Sequence, residues 1–143
     1  MPEDADQPVS IQADKGTADL NPNGVTEVSG SVVVEQGTLH IAAQELTLTN
    51  RDGKLARAVA NGGPDDPARL RQQVRADEPF VDARAQTIDY RLADDRIELR
   101  GEAFLSKADG EFEGGVIVYH LKDNRVECSA GCRAILPPTT DPD

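Results

Sequence analysis

The chain has 143 residues and a formal charge of −11, with 38% hydrophobic residues and a pI near 4.5. Its rings are Phe80, Phe104, Phe112, Tyr90 and Tyr119, with no Trp, so the core has to be aliphatic. The acidic balance excludes a nucleic-acid partner and a polybasic membrane contact. No apolar run reaches the length of a transmembrane helix, and no signal-peptide pattern opens the chain. Met1 before the polar stretch to Gln7 reads as a start placed on a mature form.

From Val9 onward the dominant period is two, the signature of strands with one buried face. Val9, Ile11 and Ala13 alternate with polar residues, followed by Val25, Val28, the run Val32–Val34, and Leu39 with Ile41. The phase switches near Ala43 before Leu46 and Leu48, which predicts a bulge or a strand break there. The segment from Arg57 to Pro67, rich in Gly, Asp and Pro, reads as the least ordered interior stretch. Leu70 and Val74 lie four apart over 67–75, where a short helix and an irregular strand both fit. Alternation resumes at Ile88, Tyr90 and Leu92. It continues through Ile97, Leu99, Phe104, Phe112, Ile117, Tyr119 and Leu121, and ends at Val126, Cys128 and Ile135. Turn signals separate these runs at Asn21–Gly24, Asp52-Gly53, Ala93–Asp95, Ala108–Gly110 and Asp123-Asn124, which predicts an all-β fold. The tail after Pro137 reads as disordered.

Two halves echo each other. Residues 11–20 parallel 81–90, and each is followed by an apolar strand behind a glycine, at Gly30 and Gly101. Leu39 and Phe112 take matching places in the next strand. Such repetition predicts stacked units whose ends invite continuation.

Catalytic chemistry has little to work with. His40 and His120 fall on polar strand faces, no metal-ligand spacing occurs, and Cys128 has no sequence-evident base. The reading is a chain without catalytic residues, metal or cofactor. Cys128 and Cys132 flank Ser129-Ala130-Gly131, which reads as a hairpin turn. A disulfide across it, implying an oxidising compartment, and two free thiols both remain open.

The stretches Gln7–Asp14 and Gly30-Ser-Val-Val-Val-Glu-Gln-Gly-Thr-Leu-His-Ile-Ala-Ala-Gln-Glu-Leu-Thr-Leu-Thr49 carry a resemblance, and so do Ala85–Leu92, Ile97–Leu105 and Phe112–Tyr119. Over residues 7–136 the chain resembles the OstA (LptA-type) family of periplasmic lipopolysaccharide-transport proteins. The resemblance implies one domain over 1–143, a V-shaped β-jellyroll of about sixteen antiparallel strands in two sheets. It implies a periplasmic bridge that carries lipid A acyl chains in an apolar groove towards the outer membrane. Groove positions carried over are Val9, Ile11, Leu70, Tyr90 and Leu92. Alternation adds Val32, Val34, Leu39, Ile41, Phe104, Phe112, Ile117 and Tyr119. The implied partners are lipopolysaccharide, an inner-membrane LptC-like jellyroll, an outer-membrane LptD-like protein and a second copy head to tail. Docking would use the edge strands Val9, Ser10, Ile11, Gln12, Ala13 and Cys132, Arg133, Ala134, Ile135, Leu136. The cysteine pair and the short acidic tail depart from the family pattern. The rival readings are a protein-only adaptor of the envelope, a fragment of a partner transport protein, and a sugar-binding jellyroll, which the scarcity of rings disfavours.

Overall fold

A computed structural model describes residues 7–63, 65–74 and 78–137. The expectations for the residues before Gln7 and for the tail after Pro137 lie outside the described residues. Twelve antiparallel strands make up the fold. They are β1 (Ser10–Gln12), β2 (Lys15–Ala18), β3 (Val25–Gln36), β4 (Leu39–Arg51), β5 (Lys54–Asn61) and β6 (Ala68–Gln72), then β7 (Val81–Ala85), β8 (Thr87–Arg91), β9 (Arg96–Lys107), β10 (Gly110–His120), β11 (Arg125–Ser129) and β12 (Arg133–Ile135).

Four long strands, β3, β4, β9 and β10, change partners half-way along. The first half of β3 pairs with β2 and the second with β1, while β4 pairs first with β6 and then with β5. Likewise β9 pairs first with β8 and then with β7, and β10 first with β12 and then with β11. The pairings therefore define two leaves of eight segments each. Leaf A runs β1, β3, β4, β6, β7, β9, β10, β12, and leaf B runs β2, β3, β4, β5, β8, β9, β10, β11. The strand count is twelve where about sixteen were expected; the four long strands, each serving both leaves, account for the difference.

The change of leaf is written into the sequence. Gly30 and Ser31 of β3 oppose the single residue Gln44 of β4, and Gly101 and Glu102 of β9 oppose Gly115 of β10. Each is a two-against-one bulge, which bends a strand sharply. Both glycines have φ +84°, and the residues after them, Ser31 and Glu102, also have positive φ. The echo between the halves is thus a repeated corner. The Asp14 amide donates to the Gly30 carbonyl at 2.9 Å, and the Gln86 amide donates to the Gly101 carbonyl at 2.9 Å. The register corrects the echo by two residues: Leu39 matches Gly110, the first strand residue after a two-residue turn in each half, and Ile41 matches Phe112.

Two other expectations change, at 57–61 and at 129–131, and the open alternative at 68–72 is settled. Residues 57–61 belong to β5, an ordered strand held by β4 on one side and β8 on the other, with Ala58 and Ala60 buried. Residues 68–72 form a strand, with Ala68, Leu70 and Gln72 inward and Arg69 and Arg71 outward. Ser129-Ala130-Gly131 is no hairpin turn, since β11 and β12 lie in different leaves and pair with opposite halves of β10. Cys128 and Cys132 are joined by a disulfide across that corner, with Cα atoms 5.8 Å apart.

Among the described residues the crossings between leaves fall along one long side: 13–14, 30–31, 44, 62–63 with 65–67, 86, 101–102, 114–115 and 130–131. The remaining turns form two rims along the other side. Turns at 37–38 and 108–109 tip leaf A; turns at 21–24, 52–53, 92–95 and 121–124 tip leaf B. The leaves are stitched along one side, and among the described residues only side-chain contacts join them along the other.

Candidate functional site

The two leaves close on a core made almost wholly of aliphatic side chains. Leaf A contributes Val32, Val34, Leu39, Ile41, Leu70 and Leu105; leaf B contributes Leu46, Leu48, Ile88, Ile97, Leu99 and Ile117, all buried. Strand alternation puts them there, and the two leaves together remove them from water. Each buried methylene contributes about 0.8 kcal/mol. Small residues interleave with the large ones: Ala43, Ala58, Ala60, Ala68, Ala83, Ala85 and Ala103. An aliphatic lining with many alanines has the chemistry of a bed for alkyl chains.

Of the thirteen groove positions named from the sequence, eleven face the side on which the leaves meet, and Val9 lies just before β1. Val32, Val34, Leu39, Ile41, Leu70, Tyr90, Ile117 and Tyr119 are buried in the core. Leu92 and Phe112 are half-buried against it, Leu92 in a 3-10 turn on the leaf B rim. Ile11 stands opposite Val34, and both Val9 and Ile11 are about two-fifths exposed at the edge of leaf A. Phe104 does not join them. It sits between inward Ala103 and Leu105, opposite Arg84, and lies on the outer face of leaf A.

Polar contacts span the free side. The Tyr90 hydroxyl on leaf B donates to Gln72 Oε1 on leaf A at 2.8 Å. Near the β12 end, Lys107 Nζ donates to Asp109, and to Asn124 Oδ1 at 2.7 Å, while Asn124 Nδ2 donates to Asp109 Oδ2 at 2.9 Å. Asp109 tips leaf A and Asn124 tips leaf B, so this cluster is a clasp between the rims. The Lys107 side chain is only 4% exposed and lies 5.3 Å from the centre of the Tyr119 ring. The hydrogen bond from Lys107 and then that from Asn124 hold the Asp109 carboxyl below its ordinary value. Beneath the clasp the Tyr119 hydroxyl is buried with no hydrogen-bond partner among the described residues.

The ends of leaf A are free. Among the described residues β1 pairs only with β3, and β12 only with β10, each through three residues on one side. Every residue of both strands is exposed. The named positions Ser10, Ile11 and Gln12 make up β1, with Val9 and Ala13 flanking it; Arg133, Ala134 and Ile135 make up β12, with Cys132 and Leu136 flanking it. Unpaired edges of this kind are templates for strand addition. Reasoning from sequence missed the clasp, because its three residues are turn formers whose meeting depends on the two leaves being stacked.

The outer faces carry the charge. On leaf B, Arg57 makes a two-pronged pair with Asp89, at 2.9 and 2.7 Å, which raises the guanidinium above its ordinary value. Arg91 reaches the same Asp89, and Arg96 and Arg100 enclose Glu98, which is 5% exposed. His120 Nε2 is 3.1 Å from Glu127, and His40 is exposed. Among the described residues no group of three side chains suits a metal ion, and no helix is long and apolar enough to cross a membrane.

Comparison with known proteins gives this arrangement its context. The family model described as "LptA/(LptD N-terminal domain) LPS transport protein" matches residues 10–125. The lipopolysaccharide export system protein LptA of Escherichia coli K12 is 33% identical over 124 residues, which cover 87% of this chain and 65% of that protein. LptH of Pseudomonas aeruginosa is 31% identical over 119 residues, covering 83% of this chain and 66% of that protein. The chain thus spans about two thirds of the length of these curated relatives. The crystal structure of Pseudomonas aeruginosa LptH, described as the LptA-homologous periplasmic component of a lipopolysaccharide transport device, matches with a TM-score of 0.80 at 26% identity. That match covers 96% of this chain and all of that one. These relatives are named as transport proteins, and the chain belongs to the LptA/LptD N-terminal-domain family of lipopolysaccharide transport proteins.

Proposed function

We propose that the chain is a periplasmic carrier that holds the acyl chains of lipopolysaccharide between its leaves and passes them along a line of like-folded domains. The observation that supports this most is the aliphatic space stitched along one side and bridged by side chains along the other. Acyl chains enter when the rims part, and the anionic headgroup stays in water, kept out by the chain's own negative charge. Each methylene sheltered from water contributes about 0.8 kcal/mol, so two or more chains supply the drive without a vesicle. In this reading the leaves open as a V-shaped jellyroll about the stitched side.

The free edges supply the coupling. Strand β1 adds to an LptC-like inner-membrane partner, and β12 adds to an LptD-like outer-membrane partner or to β1 of a second copy. A protein-only adaptor would use the same edges without lipid between the leaves, so lipid contact decides between them. The test is a photo-reactive residue at Leu92 on the rim, with Glu27 on the outer face of leaf B as control, irradiated with purified lipopolysaccharide. Adducts at 92 and none at 27 are expected. No adduct at either position in folded protein would overturn the carrier and leave the adaptor.

A further inference from the structure

The outer face of leaf A holds a basic cleft that the carrier reading leaves unused. Its volume is about 400 Å³, and its walls include Val33, His40, Arg69, Arg71, Arg84 and Phe104. Arg69 on β6 and Arg84 on β7 stand directly opposite each other in the register. Like charges placed so are destabilising. Among the described residues no carboxylate lies within 4 Å of either guanidinium, and of the two only Arg84 has a ring beneath it. On leaf B, by contrast, Arg57, Arg91, Arg96 and Arg100 each lie within that distance of Asp89 or Glu98. Arg71 does pair with Asp82, at 3.5 Å, so the cleft retains excess positive charge in a chain of net charge −11.

The guanidiniums are also oriented. Arg84 lies 4.2 Å over the Phe104 ring and Arg71 lies 4.4 Å over the Phe80 ring. Stacking fixes the plane of the fork, so less freedom is lost when an anion binds. Two guanidiniums from directly opposite register positions, Arg69 and Arg84, offer the paired N–H donors that phosphate oxygens accept. A bare phosphate fills little of a 400 Å³ cleft whose other walls, Val33, Ala42 and Phe104, are apolar. The remaining space has the size and character of a single sugar ring.

We infer that this cleft binds a phosphorylated sugar, with the phosphate between Arg69 and Arg84 and the ring towards Val33 and Phe104. The site lies on the opposite face of leaf A from the acyl-chain space, so it stands or falls independently of the carrier reading.

Titration calorimetry of the whole chain with glucosamine 6-phosphate and, separately, with inorganic phosphate tests it. The sugar phosphate should bind more tightly than phosphate. The Arg69→Gln/Arg84→Gln double variant should weaken that binding by about tenfold or more, the scale of a lost charge-assisted contact. Arg125→Gln, on the β11 edge of leaf B, should leave it unchanged. A thermal melt separates binding from folding: removing the opposed charges should leave the double variant's unliganded midpoint equal to or above that of the parent. No binding of the sugar phosphate, equal affinity for phosphate alone, or the same loss in Arg125→Gln would each overturn the inference.

Discussion

At the scale of single residues, the corners carry the fold. A Cβ added to Gly101 would lie 2.8 Å from Gln86 Cβ, on a backbone at φ +84°. Gly101→Ala should therefore cost about 1–3 kcal/mol, read as a lower urea midpoint at unchanged slope. The clasp is a residue-scale feature with a pH signature. The Asp109 carboxyl titrates below its ordinary value of 3.8. Its stabilising contribution is therefore complete above that value and is lost as pH falls through the lowered one. Asp109→Asn should flatten the stability profile below about pH 4 relative to the parent, and denaturant titrations at pH 7 and pH 3 would show it. The case of Phe104 shows where reading a sequence stops. A ring within the run Ala103-Phe104-Leu105 looks like core, yet alternation is decided by which neighbours face inward, and the small Ala103 and Leu105 take those places. The ring outside serves as a platform for Arg84 instead.

Among elements, legibility followed side-chain size. Strands with Val, Ile and Leu at every second place were readable, because branched residues on one face leave a strong period. Strand β5 was missed because its inward residues are Ala58 and Ala60, which bury little area and carry low strand propensity; β4 and β8 on its two sides impose the conformation. The glycine echo was visible as a pattern, but its meaning as a two-against-one bulge needed the partner strand. The disulfide belongs to this scale too. It closes a ring of only a few residues, so its effect on global stability is modest. Reduction should leave the melting midpoint within a few degrees while raising amide exchange in β12, which only three register positions hold to β10. A large drop in midpoint would show that the corner, and not the strand edge alone, depends on the bridge. On the opposite edge, Ile11→Pro removes a backbone donor and should abolish strand addition at β1 while leaving the leaves folded. Cross-linking of added copies, checked against circular dichroism, would report both.

For the whole molecule, spacing and charge set the terms of assembly. Eight segments at about 4.8 Å apart make leaf A roughly 34 Å from β1 to β12. Copies joined edge to edge would bring together chains of −11 each. Head-to-tail association should therefore strengthen as salt screens the repulsion, with sedimentation at low and high ionic strength as the measure. Weaker association in salt would mean that opposite charges, not backbone pairing, hold the joint.

The pairing direction has a mechanical consequence. In both leaves the hydrogen bonds between strands run along the line from β1 to β12, so a pull on a chain of such domains loads the bonds lengthwise. Inside the leaf A path the long strands β3, β4, β9 and β10 also continue into leaf B, and a rupture there has to break both. The end strands have three residues each, all of them exposed. Under tension the joints give way first and the bodies stay intact, so a bridge built this way comes apart at its couplings and can be made again from the same pieces.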